Sequence, residues 1–184
     1  ELFIILRHGM PKLILLIQLT GDDERELTTR EESLRKALEQ FRVPLRTTKT
    51  EDEEKKYWTI RRESFNLLRN HIKDKHTAPF IDDVIVRPEK LTEFLPRLTA
   101  IIEKYKDKMT STIAGHAGDG NFHIIPLMNL ADPEARALIP KAALEVYDLV
   151  KEFGGSFTAE HNDGLIRTPY LEKMFGSKIV KLFE

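Results

Sequence analysis

Two short segments hold the residues of this 184-residue chain that could do chemistry. The first is Gly115-His116-Ala117-Gly118-Asp119-Gly120-Asn121-Phe122-His123, and the second is Glu160-His161-Asn162-Asp163-Gly164. An imidazole binds divalent metals through a ring nitrogen and exchanges a proton near neutral pH, so both segments point to metal or acid–base chemistry. Asp119-Gly120 between strand-like runs signals a two-residue hairpin turn, whose two positions require positive φ. With that turn, Gly118 pairs with Asn121, Ala117 with Phe122, and His116 with His123. Directly opposed residues bring their Cβ atoms to about 4.5–5.5 Å on one face, close enough for two imidazoles to share an ion. On a single straight strand, residues an odd number apart would face opposite ways. Asp119, Gly120 and Asn121 thus enter as the structural turn of the site.

Glu160 ends a strand-like run just before a loop and is the candidate third ligand. The resulting His-His-carboxylate set leaves positions open for substrate or water. His161, beside it, is placed as a general base near the metal, since an ordinary imidazole pKa near ~6.5 suits proton abstraction at neutral pH. Alone, two histidines seven apart are more often structural than metal-binding, and Gly-Asp-Gly-Asn is merely a turn. It is no phosphate loop, because the glycine-lysine patterns of those loops are missing. The conjunction of the two segments is what favours a site.

Composition narrows the chemistry. Without cysteine, the chain cannot offer disulfides, thiolate catalysis, iron–sulfur ligation or thiolate zinc sites. A formal net charge of -1 with 32% charged residues shows no basic excess, so no nucleic-acid partner is expected. The longest apolar run, Leu13 to Leu19, is far short of the ~20 residues that span a bilayer. Glu1 opens directly into an apolar segment and the chain stops at Phe183-Glu184, so residues 1–184 read as one domain cut from a longer polypeptide.

The positioning elements follow from periodicity. Lys12 to Thr20 reads as a buried strand. A helix is expected from Thr29 to the stop at Val43-Pro44, then a charged connector from Thr47 to Lys56 and a helix over roughly residues 53–73. Phe80 to Val86 reads as a strand containing Asp82 and Asp83. Pro88 and Glu89 open a helix with the core stripe Leu91, Phe94, Leu98, Ile101 or Ile102, and Tyr105, which Pro96 is expected to bend. Two strand-like runs, Ser111 to Ala114 and Phe122 to Leu127, flank the glycine-rich turn. A helix from Pro133 to Phe153, capped by Gly154-Gly155, and a last strand over Phe157 to Glu160 complete the pattern. The expectation is an α+β, two-layer domain with a largely antiparallel sheet covered by helices.

The two histidine motifs, with Gly154-Gly155 and Arg167-Thr168-Pro169-Tyr170-Leu171, resemble the C-terminal domain of FAD-linked oxidases. That superfamily includes D-lactate dehydrogenases, glycolate oxidase and D-2-hydroxyglutarate dehydrogenase. Trp58-Thr59-Ile60-Arg61 and Phe80-Ile81-Asp82-Asp83-Val84 also sit where the family has related stretches, so the resemblance covers nearly the whole chain. It implies a ferredoxin-like α+β unit that caps FAD held mainly by a separate N-terminal domain. It also implies His116, His123 and Glu160 as ligands of a divalent metal, zinc or manganese, and His161 as the base. Arg61 is implied as partner of the carboxylate of a small-molecule hydroxyacid. The Glu-His-Asn-Asp-Gly form looks most like long variants fused to a downstream iron–sulfur domain. A cytoplasmic location follows, peripheral to the membrane through an electron acceptor. Where hydroxyglutarate-oxidising members carry a Thr, a Lys and an Asn, this chain has Phe65, Ile81 and Ile125, which favours a lactate-like acid over a dicarboxylate. A metal-dependent hydrolase and a non-catalytic interaction domain remain alternatives at this point.

Other residues read plainly. Trp58 is taken as a helix anchor, Asp82 and Asp83 as solvated or helix-pairing carboxylates, and Arg167 as either an anion contact or a surface ion pair. His8, His71 and His76 are assigned nothing.

Overall fold

The computed structural model describes residues 13–71 and 74–183, the side chains of residues 64–71 excepted. The chain divides into two compact units, Glu1–Leu67 and Leu68–Glu184. Leu2 to Leu6, His8 and Lys12, and the side chains of Phe65 and His71, lie outside the described residues. Among the described residues no helix is long and apolar enough to cross a membrane.

In the first unit, α1 (Glu24–Leu38) begins ahead of the expected Thr29, because Asp23 caps it by accepting from the Glu26 amide at 2.8 Å. It ends in a 3-10 turn, Glu39–Phe41. Helix α2 (Glu51–His71) opens with Glu51, Asp52, Glu53 and Glu54, whose charge suits the positive end of a helix dipole. That is why it starts inside the expected connector. Trp58, half-buried on α2, donates its indole N–H to Glu54 one turn earlier at 3.2 Å.

The strand expected over residues 12–20 does not form in the described part. Residues 13–20 make no ladder, and Leu13 stands 71% exposed. An apolar run becomes a buried strand only where a neighbour meets its N–H and C=O groups, and the described residues supply no such neighbour.

The second unit is built around β4 (Asn121–Met128). Along one side runs β3 (Met109–His116), antiparallel over its whole length. On the other side β1 (His76–Thr77) pairs at Met128 and Leu127, and β2 (Val84–Ile85) at Phe122 and Asn121. Ile85 bridges onward to Ser156. The chain order is β2, α3 (Leu91–Glu103), β3, β4, α4 (Pro133–Glu152), then the Ser156 bridge. In space the order is Ser156, β2, β4, β3, the ferredoxin-like arrangement expected, antiparallel in every named pair. The chain ends in α5 (Gly164–Arg167), α6 (Leu171–Phe175) and α7 (Ser177–Val180).

Two strands are shorter than expected, for one reason. Phe80 to Val86 contracts to Val84–Ile85 because Asp83 takes a positive φ of 71° and leaves the ladder. Phe157 to Glu160 contracts to the bridge at Ser156, since the amides of Ala159 and His161 donate to the Asp83 carboxylate rather than to a strand.

Helices α3 and α4 form the second layer. Phe94 and Leu98 of α3 and Val146, Tyr147 and Val150 of α4 are fully buried against Ile124 and Met128 of β4. Each such side chain contributes about 1.5–3 kcal/mol by leaving water, so this layer dominates the stability of the unit. Pro96 lies within α3 without interrupting it. Gly154, at φ 69°, ends α4 by donating to Lys151 O, while Gly155 donates to Val150 O. Strand periodicity then divides β4: Phe122, Ile124 and Met128 enter the core, leaving Asn121, His123 and Ile125 for the opposite face.

Candidate metal centre

The hairpin carrying the first motif differs from the expected two-residue turn. His116 pairs with Asn121, Gly115 with Phe122 and Ala114 with His123. The connection is a 3-10 turn, Ala117–Asp119, closed by Gly120 in the left-handed region at φ 72°. Asp119 does not take positive φ, so the two-residue turn is unavailable. Gly120 is confined further, because a Cβ there would lie 1.8 Å from Val86 O. Asn121, expected in the turn, is instead the first residue of β4.

The register is thus displaced by two residues. An even displacement keeps every side chain on its face, whereas a displacement of one would reverse them all. His116 and His123 become diagonal instead of opposed neighbours, with ring centroids 5.6 Å apart at 86°.

Glu160 completes the cluster. Its Oε1 lies 3.0 Å from His123 Nε2, 3.4 Å from His116 Nε2 and 3.6 Å from His161 Nε2. Zinc–ligand bonds near 2.0–2.1 Å in a tetrahedron separate donor atoms by roughly 3.3 Å, so these spacings fit a single small ion. His116, His123 and Glu160 offer donor atoms all within 4.8 Å of one another. Two imidazoles and a carboxylate suit zinc or manganese. The His123 side chain is 9% exposed, while those of His116 and Glu160 are 47% exposed. The set therefore has a closed wall and an open side. An open cleft lined by Ile85, His116, Asp119, Asn121, Ala159 and Glu160 lies against it.

Burial, and then the neighbouring His161, hold the His123 imidazole below its ordinary pKa. The carboxylates of Asp82, Glu160 and Asp83 pull the other way and do not prevail. A lowered value keeps the ring neutral at neutral pH, the form that binds metal. His161 stacks on His123 with centroids 4.3 Å apart and planes at 7°. Its Nδ1 meets Asp82 Oδ2 at 3.0 Å.

Asp82 and Asp83, read from sequence as solvated or helix-pairing carboxylates, instead support the site. Asp83 is fully buried and accepts from the His161 amide at 2.8 Å, the Ala159 amide at 3.1 Å and Asn121 Nδ2 at 2.9 Å. Burial works against its ionisation, yet these donors outweigh burial and lower its pKa. Arg167, 5% exposed, pairs in the interior and not at the surface, its Nε 3.7 Å from Asp163 Oδ1. It donates to the carbonyls of Asp82, at 2.5 Å, and Asn162, and its Nη1 lies 3.6 Å from Asp83. The available signal for Asp82 and Asp83 was two adjacent charges inside the apolar run Phe80 to Val86.

Arg61 stands exposed on α2, in the first unit. Of the three apolar positions tied to substrate choice, Ile81 is fully buried in the core and Phe65's side chain is outside the described residues. Ile125 shares the face of His123.

Comparison with known proteins identifies the family. The family model described as "FAD linked oxidases, C-terminal domain" matches residues 9–184. D-2-hydroxyglutarate dehydrogenase of Pseudomonas putida is 31% identical over 119 residues, 65% of this chain and 12% of that protein. Glycolate oxidase subunit GlcD of Bacillus subtilis is 27% identical over 170 residues, covering 89% of this chain and 34% of its own length. D-lactate dehydrogenase of Anaerostipes hadrus is 33% identical over 103 residues, 55% of this chain and 20% of that protein. The matched part of the chain thus spans 12% to 34% of the length of these relatives. By its family match and its fold, the chain belongs to the C-terminal domain family of the FAD linked oxidases.

Proposed function

We propose that residues 1–184 are the substrate- and metal-binding domain of an FAD-dependent oxidoreductase that oxidises a D-2-hydroxyacid by hydride transfer to flavin. The observation that carries this reading is the convergence of His116, His123 and His161 Nε2 on Glu160 Oε1. Family membership supports FAD as the cofactor. His116, His123 and Glu160 hold the ion. Bound there, zinc or manganese supplies Lewis acidity to the hydroxyl and carboxylate oxygens of the substrate. His161 takes the hydroxyl proton at Nε2 while the hydride leaves the carbon that bears that hydroxyl, so the alcohol becomes a carbonyl. Arg61 pairs its guanidinium with the substrate carboxylate.

A lactate-like acid suits the site better than a dicarboxylate, because His123 has Ala114 opposite it and Ile125 beside it on the same face, and both are apolar. The flavin sits in an N-terminal domain of the same polypeptide. A downstream iron–sulfur domain completes the chain, a reading that rests on the form of the Glu160-His161-Asn162-Asp163-Gly164 motif. The location is cytoplasmic, with contact to the membrane made through an electron acceptor.

The test is flavin bleaching by D-lactate in the polypeptide that carries the flavin domain. The expected result is rapid reduction, slower reduction by D-2-hydroxyglutarate, and a loss of about 10²–10⁴-fold in His161→Ala. Reduction at the wild-type rate in His161→Ala rejects the assignment.

A further inference from the structure

We infer that Asp82 is a positioning residue whose single carboxylate fixes the ring-proton position of His161 and, when a metal is bound, of His123. Both imidazoles then present an unprotonated Nε2 to the site. The inference rests on the ligand set proposed above only for its second half.

Asp82 is well placed for this. Its backbone carbonyl is held by Arg167 Nη1 at 2.5 Å, and its side chain is 16% exposed, so the carboxylate has little freedom. Oδ2 lies 3.0 Å from His161 Nδ1, within hydrogen-bond distance, whereas His161 Nε2 lies 3.6 Å from Glu160 Oε1, beyond it. An ionised carboxylate can only accept, so the proton resides on Nδ1 and the Nε2 lone pair is free.

The other oxygen matters as much. Asp82 Oδ1 and His123 Nδ1 are both buried without a hydrogen-bond partner, and they face one another at 3.5 Å. His123 Nε2 has the nearer acceptor, Glu160 Oε1 at 3.0 Å. Ligation through Nε2 forces the proton onto Nδ1, where Asp82 Oδ1 meets it. The parallel stacking of the two rings, 4.3 Å apart, allows one carboxylate to serve both. Carboxylates behind ligating imidazoles typically affect metal affinity by about 10–100-fold. The competing arrangement is an ion held by Asp82, His123 and His161 themselves, whose donor atoms also lie within 4.8 Å. It requires both Nδ1 atoms unprotonated.

The experiment is long-range proton–nitrogen NMR of the ¹⁵N-histidine-labelled chain at about pH 8, above the ordinary free-imidazole value of ~6.5. Without metal, His161 is expected protonated at Nδ1. With one equivalent of Zn²⁺, His123 joins it. Asp82→Ala is expected to give mixed His161 tautomers, unchanged His116 signals, and about 10–100-fold weaker zinc binding. A wild-type His161 protonated at Nε2 overturns the inference without any variant being needed. So does a zinc-bound chain in which Nδ1 of both rings is the ligating atom. Failure to bind zinc would sink the metal assignment alone and leave the metal-free His161 result to decide this one.

Discussion

The buried carboxylate of Asp83 holds the backbone amide of His161 at 2.8 Å, joining the break in the strand at Asp82-Asp83 to the loop that carries Glu160. The same carboxylate accepts from Asn121 at the start of β4. One charge therefore ties together the hairpin that supplies His123 and the loop that supplies Glu160 and His161.

Removal of that charge should be severe. Asp83→Ala leaves the nearly buried guanidinium of Arg167 with Asp163 as its remaining carboxylate neighbour and strands three N–H donors. Breaking a buried pair from one side typically destabilises by about 3–5 kcal/mol. Urea denaturation measures it, and a loss below about 1 kcal/mol would show that the network is not holding the loop.

Acid should act through the same residue. The pKa of Asp83 is lowered in the folded chain, so the stability it contributes is present above its unfolded value near ~3.9 and is lost as pH falls through the lower folded value. Asp83→Asn cannot take part in that linkage. The gap in urea midpoint between wild type and Asp83→Asn is expected to be constant from neutral pH down to about pH 5 and to narrow below about pH 4. A gap that widens in acid would reverse the sign of the account.

Gly120→Ala tests the hairpin. The substitution meets a positive φ and the Val86 carbonyl together, so a loss above about 1 kcal/mol is expected, with weaker zinc binding because His116 adjoins the turn. Wild-type stability in Gly120→Ala would mean that the loop relaxes freely.

These relationships show what was legible in the sequence. The hydrophobic stripe of α3 and the facing of His116 and His123 were readable, because periodicity fixes which side chains share a face. The hairpin register was not, since Asp119-Gly120 permits both a two-residue turn and a longer loop, and the choice lies in the contact of Gly120 with Val86. Neither were the roles of Asp82 and Asp83 legible, because their partners lie far along the chain, at Asn121, His161 and Arg167. The apolar run at residues 13–20 carried a strand signal, but a ladder also needs a neighbour, and local composition is silent on that.

The most direct measurement is calorimetric titration of the chain with Zn²⁺, alongside His116→Ala, Glu160→Ala and His76→Ala. His76 lies in β1 and is exposed, outside the ligand set, and serves as the control. The account predicts one ion per chain, binding weakened at least ~10-fold in His116→Ala and Glu160→Ala, and no change in His76→Ala. Equal affinity in all four proteins, or no binding by the wild type, would contradict it.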